Sequence, residues 1–193
     1  MEKKIIKDGL EYRAYFLVPY NISPIQQGIQ AGHALGRFLL KYGRYNPDHV
    51  AWEFLGHHET FIVLNGGTTN DQRDLNGIPL GTLNIFGDQL LEMDIEFSYF
   101  IEPDLNNALT ALCVICDERV FNYEDYPDFV DYIIKETNIA NGCEDIEVEI
   151  QIKTKPILKL IDDYPIYNKE WVNLMGGKKN VFLRELYQNK KKA

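Results

Sequence analysis

Residues 13–20, Arg-Ala-Tyr-Phe-Leu-Val-Pro-Tyr, form an aromatic and β-branched run that reads as a buried strand. A helix start follows. Ser23 stands at the N-cap, Pro24 suits the first helical position and Gln26 falls at the third, spelling a capping box. The helix is expected to run to about Lys41, with Gly43 as its stop. Gly28, Gly32 and Gly36 recur every fourth position along it. A glycine inside a helix costs about 1 kcal/mol relative to alanine, so this ridge is expected to let a sheet approach closely.

Thr60-Phe61-Ile62-Val63-Leu64 predicts a second strand. The polar stretch from Asn65 to Gly81, with Gly66-Gly67 and Asn76-Gly77 turn signals, is long for a plain connection and reads as an insertion or functional loop. A helix is expected near Leu83–Met93, a third strand over about Glu96–Ile101 and a fourth over Leu109–Cys116. The order β-α-β-α-β-β predicts an α/β domain with a mixed, largely covered sheet. Beyond Asp117 the pattern changes. Pro127–Thr137 reads as a helix, and 146–153 alternates Ile-Glu-Val-Glu-Ile-Gln-Ile-Lys as a half-buried strand does. Pro156 and Pro165 bracket an irregular piece, and a last helix is expected around Trp171–Tyr187. The predicted organisation is a domain over 12–118 and an α/β extension over 119–193 packed on it.

At 193 residues, with 45% hydrophobic and 25% charged side chains, the chain can bury a core without a disulfide or metal staple. Cys113, Cys116 and Cys143 are an odd count at unpatterned spacing, which predicts reduced thiols. No apolar run approaches a membrane span, and Met1-Glu2-Lys3-Lys4 precedes only Ile5-Ile6 before charge returns. A soluble cytoplasmic protein with no membrane partner is expected. The net charge of −9 is unevenly spread. Residues 1–117 carry 8 basic and 15 acidic side chains (net −7), whereas 118–193 carry 12 and 14 (net −2) and include Lys190-Lys191-Lys192. Extended phosphate tracking needs clustered cations, so no extended basic surface is expected. The terminal lysines read as a solubilising frayed end.

Two constellations could carry chemistry. Gln26, Gln30, His33 and Arg37 share one polar face of the first helix, close to a helix N-terminus that can hold an anion or a carbonyl oxygen. The alternative is a solvated face on which Gln26 only completes the capping box. Glu102-Pro103-Asp104-Leu105-Asn106-Asn107, between two predicted strands, supplies carboxylates and amides able to orient a water, or is an ordinary Asp/Asn/Pro turn. Thr110 opens the strand beside it. His57-His58-Glu59 lacks a spaced third ligand, and Cys113-Val114-Ile115-Cys116 places its thiols on opposite sides of a strand. No metal or cofactor is expected. Gly66-Gly67-Thr68-Thr69 lacks the lysine of a phosphate loop.

The first strand, the Gln30-Ala31-Gly32-His33-Ala34 helix and the Leu109-Thr110-Ala111-Leu112 strand together resemble peptidyl-tRNA hydrolase type II, in the right order over residues 13–117. That family carries Q-x-x-H-A on its first helix and an Asp loop before a T-A-L strand. The resemblance implies a four-stranded mixed sheet with helices on both faces, and hydrolysis of the ester joining a peptide to the 3′ end of tRNA. It implies a site between the first-helix N-terminus and the loop before the last strand. By position, Gln30 and His33 match the Q-x-x-H pair, Thr110 matches the threonine, and Glu102 or Asp104 stands for the loop aspartate. The family's catalytic lysine position is occupied here by Gln26, an amide that donates a hydrogen bond but carries no charge. The loop form E-P-D-L-N-x-x-L-T-A-L looks like that of divergent relatives, often phage- or mobile-element-encoded. Two functions from different classes follow: an ester hydrolase acting on a tRNA-linked substrate, or a non-catalytic module that keeps the cleft for a small ligand or protein.

Overall fold

A computed structural model of the chain describes residues 9–57, 59–142, 146–188 and 190–193. Cys143 and His58 lie outside these residues. The chain divides into two compact units, one ending at Glu118 and rejoined by Leu186–Ala193, the other Arg119–Glu185.

The first unit is an α/β structure built on one sheet. β1 (Tyr12–Pro19), β2 (Thr60–Gly67), β3 (Ser98–Glu102) and β4 (Ala108–Asp117) lie in the order β2-β1-β4-β3. β1 runs parallel to β2, and β4 is antiparallel to both β1 and β3. A parallel pair needs a crossover, which here contains α1 (Pro24–Phe38), a π-helical turn at Leu39–Gly43 and α2 (Val50–His57). α3 (Thr82–Glu92) connects β2 to β3. Ala31, Ala34, Leu35 and Phe38 of α1 bury against Ala14, Phe16 and Val18 of β1 and Ala111 and Cys113 of β4. The other face of β1 and β2 receives Leu83 of α3, whose Cδ1 lies over Gly66 beside the Leu17 side chain.

The capping box forms as its spelling predicts: Ser23 Oγ accepts from Gln26 N–H, and Gln26 Oε1 accepts from Ser23 N–H. The glycine ridge does not do what was expected of it. Gly28, Gly32 and Gly36 are exposed, and a Cβ at any of them would meet nothing within 4 Å. The small residues that let α1 approach the sheet are Ala31 and Ala34, on the opposite side of the helix. Gly32→Ala is therefore expected to stabilise the first unit by about 0.5–1 kcal/mol, read as a shift in the urea midpoint of Trp52 fluorescence in a Trp171→Phe background. An unchanged or lower midpoint would show that the glycine serves something other than chain geometry.

α2 has no counterpart among the elements read from the sequence. His49 stands just before it, and its Nδ1 accepts from Ala51 N–H (3.1 Å), an N-cap made by an imidazole. That assignment leaves the ring proton on Nε2, which faces Glu96 at 2.8 Å. The three lysines do not fray. Lys192 bridges Leu64 on the outer edge of β2, Asn65 N–H donates to Lys191 O (2.9 Å), and Lys190 Nζ sits 3.8 Å from the centre of the Phe86 ring. Burial pushes the Lys190 ammonium below its ordinary pKa. Tyr187 anchors this segment by stacking on Tyr15 at 4.5 Å.

The second unit is helical over its described residues: α4 (Phe129–Asn141), α5 (Ile146–Thr154), α6 (Ile157–Asp163), α7 (Pro165–Leu174) and the start of α8 (Lys178–Gln188), which continues into the first unit. Phe129, Ile133, Ile152, Leu160, Trp171 and Met175 form its core. Three expectations are corrected here. The strand over 146–153 is α5. Alternation alone cannot pair a backbone, and no strand lies among the described residues of 119–185 to pair with. A helix satisfies its own ladder, and Glu147 and Glu149 in its first turn with Lys153 in its last oppose the helix dipole favourably. Glu149 and Lys153 also form an i,i+4 ion pair. Ile152 is buried, whereas Ile146 and Ile150 remain exposed. The piece between Pro156 and Pro165 is not irregular: α6 follows Pro156 as its N-cap, and α7 begins at Pro165. The last helix is split at Gly176-Gly177, whose φ values of +80° and +111° end α7. No helix among the described residues is long and apolar enough to cross a membrane.

Candidate active site

The last turn of β3, the bend after it and the first helix meet at one end of the sheet. Their meeting depends on a register shift. Phe100 pairs with Ala111, but Ile101 pairs with Leu109, so Thr110 is the extra residue of a bulge in β4. The bulge turns the Thr110 side chain to the face that α1 covers, where strict alternation would have sent it to the other. Thr110 is buried there, and its hydroxyl lies 2.8 Å from Gln30 Oε1 and 3.3 Å from Phe100 O.

Gln30 is the hub. It is 5% exposed, and its Nε2 donates to Glu102 Oε2 at 2.7 Å while its Oε1 accepts from Thr110. This pattern fixes the amide orientation, because the flipped amide would aim its oxygen at a carboxylate oxygen. Polarity therefore runs in one direction, from the Thr110 hydroxyl through Gln30 to the Glu102 carboxylate. Glu102 is half-buried, and its second oxygen receives the Asp104 N–H at 3.5 Å across the start of the 3-10 turn Pro103–Leu105. Glu102 is only partly buried, and each carboxylate oxygen can accept more than one hydrogen bond, so it can also accept from a water. A carboxylate held by a neutral donor and open on one side can orient a water and remove its proton.

The remaining predicted residues fall around this hub unequally. His33 and Arg37 are exposed one and two turns further along α1. His33 stacks on Phe100 with ring centres 4.4 Å apart. The Arg37 guanidinium lies 4.5 Å from the centre of the same ring and donates to Tyr99 O at 3.2 Å. Gln26 is exposed one turn before Gln30, and its Oε1 is held by Ser23, which leaves the Nε2 hydrogens as donors on that face. Asp104 is exposed on the turn, and its backbone N–H rather than its carboxylate meets the hub. Of the two carboxylates the sequence leaves open, Glu102 is the one joined to Gln30.

Phe100 was not foreseen from the sequence. It presents one ring to both His33 and Arg37, and nothing local marks it apart from other strand aromatics. Gln27 was also not foreseen. It is buried and donates to Pro19 O at 3.2 Å, pinning the start of α1 to the end of β1. The Cys113 and Cys116 thiols are buried in β4, and burial pushes both well above the usual thiol range. Among the described residues no group of three or more His, Cys, Asp or Glu side chains gathers as metal ligands would.

No family model, curated protein or solved structure matches the chain.

Proposed function

We propose that the first unit is a hydrolase of the peptidyl-tRNA hydrolase II kind, cleaving an ester to tRNA with Glu102 as the base. The observation that carries the reading is the chain Thr110–Gln30–Glu102, at 2.8 and 2.7 Å, between the first helix and the bend before the closing strand. The strand order β2-β1-β4-β3, with β1 and β2 parallel, also supports it. Glu102 takes a proton from a water whose oxygen attacks the ester carbonyl, and the proton passes to the 3′ oxygen of tRNA as the ester bond breaks, while Gln30 holds the carboxylate and Thr110 holds Gln30. The Nε2 of Gln26 serves as a neutral donor to the ester carbonyl. His33 and Arg37 line the approach through their contacts with Phe100.

A neutral donor stabilises a developing oxyanion less than a cation does. One such donor is worth about 10²–10³ in rate, so slow turnover is the expected behaviour. Pure protein is expected to release free tRNA from a peptidyl-tRNA above the spontaneous rate. Gln26→Lys should raise that rate by about 10²-fold. The assay is single-turnover release read on acid gels. If neither protein releases tRNA, the hydrolase reading fails. A non-catalytic module then takes its place, favoured by the uncharged Gln26, whose amide oxygen is already committed to Ser23. Weak salt dependence of tRNA affinity would fit the acidic composition of this unit.

A further inference from the structure

The face of the sheet opposite Gln30 carries a second feature, independent of the hydrolase reading. α3 packs over β4, β2 and β1, and the half of this face formed by β3 is left open, so that Tyr99 is 47% exposed. Between α3, the loop that precedes it and strands β3 and β4 runs a groove made of two adjoining depressions of about 300 Å³ each. They share Asp71, Asn84, Ile101 and Leu109. One half is apolar, floored by Tyr99, Ile101, Leu109 and Leu112. The other is polar and ends at Asn84, Asn106 and Asn107.

Three properties narrow what this groove accepts. Its polar end is built from carboxamides, which offer a donor and an acceptor side by side and match the edges of a nitrogen heterocycle. Asn106 and Asn107 are both held at positive φ, +53° and +56°, a conformation that asparagine tolerates and most residues resist. Asn84 Oδ1 is occupied by Asn70 N–H at 2.9 Å, which fixes the rotamer and leaves its Nδ2 hydrogens to point elsewhere. The apolar end exposes an aromatic ring on which a flat ring can stack. The charge balance disfavours anions. Arg73 is the one cation among the described lining residues, and its guanidinium is spent on Asp88 (2.8 and 3.3 Å) and Gly77 O (2.7 Å). Asp71 then leaves the lining with a net negative charge. A phosphate finds no free cation among the described lining residues.

We propose that this groove is a binding site for an uncharged heteroaromatic ligand of nucleoside size, its ring on Tyr99 and its polar edge on Asn84, Asn106 and Asn107. The volume suits such a ligand, since small-molecule sites begin at about 300 Å³.

The test is titration of adenosine into the full-length ¹⁵N-labelled chain, with adenosine 5′-monophosphate as the charged control. Adenosine should give saturable amide shifts grouped at residues 69–73, 84–91 and 99–109, with a Kd on the order of 10⁻⁴–10⁻³ M. The monophosphate should bind at least about tenfold more weakly, because its charge meets Asp71 without a free cation. Tyr99→Ala should weaken adenosine by about tenfold, the scale of one lost base–aromatic stack. Asn106→Gly with Asn107→Gly removes both carboxamides while keeping the left-handed backbone, and should weaken it comparably. The proposal is overturned by no saturable shift at about 10 mM adenosine, by shifts grouped elsewhere, by equal affinity for the monophosphate, or by variants that bind as the parent does.

Discussion

Glu102→Gln is expected to slow release of tRNA from a peptidyl-tRNA by about 10³-fold, within the range of a lost general base, while leaving the fold as it is. The substitution is nearly isosteric, and a glutamine oxygen at position 102 can still accept the Gln30 N–H that now reaches Glu102 at 2.7 Å. What disappears is the charge, and with it the ability to take a proton from water. Glu102 is half-buried on an open bend, so losing its charge should move the unfolding midpoint little. Asp104→Asn should change the rate by less than about threefold, because its carboxylate stands outside the hydrogen-bonded chain. Single-turnover release by the two variants separates these roles. A Glu102→Gln rate equal to the parent's, or a larger loss at Asp104, would remove Glu102 from the mechanism.

Gly67→Ala is expected to destabilise the first unit by about 3 kcal/mol, from two causes that can be measured apart. Gly67 has φ +83°, where an L side chain costs roughly 1–2 kcal/mol. A Cβ there would also lie 1.9 Å from Thr82 Oγ1. That hydroxyl clamps the start of α3, accepting from Thr68 N–H (2.8 Å) and donating to Gly66 O (3.1 Å). Pushing it aside undoes both bonds and overpacks the junction, adding about 1–3 kcal/mol. Gly77→Ala is the control. Its φ is +80°, but its Cβ would meet nothing within 4 Å, so about 1–2 kcal/mol is expected from the backbone alone. Trp52 is the tryptophan of the first unit and Trp171 that of the second, so urea unfolding in a Trp171→Phe background reads the first unit by itself. Equal losses at Gly67 and Gly77 would show that Thr82 is no clamp.

The same junction folds the polar stretch that follows β2 back onto the start of α3. Gly81 is closed from the other side, since a Cβ there would lie 2.1 Å from Asn70 N. Asn84 Oδ1 ties Asn70 N–H back to α3, and Thr69 Oγ1 lies 3.4 Å from the same oxygen. The loop is therefore folded onto the start of α3 by backbone contacts that glycine alone permits, and it forms one wall of the groove.

Local chemistry was legible in the residues themselves. Ser23, Pro24 and Gln26 announce the start of α1 because a capping box closes within four residues. The strands β1, β2 and β4 are announced by aromatic and β-branched runs that have no other way to leave water. The membership of Gln30, Glu102 and Thr110 in one neighbourhood was an expectation from the ordered motifs. Their mutual geometry was not legible, because Gln30 lies 72 residues from Glu102 and 80 from Thr110. Tertiary pairing decided the rest. The bulge that turns Thr110 inward is a property of β3 and β4 together, and neither strand carries a mark of it alone. Pairing also decided that 146–153 became a helix, since an alternating segment is a strand only where another strand accepts its hydrogen bonds. It decided too that the glycines of α1 face outward, because helical spacing shows which residues share a side but not which side the sheet will cover.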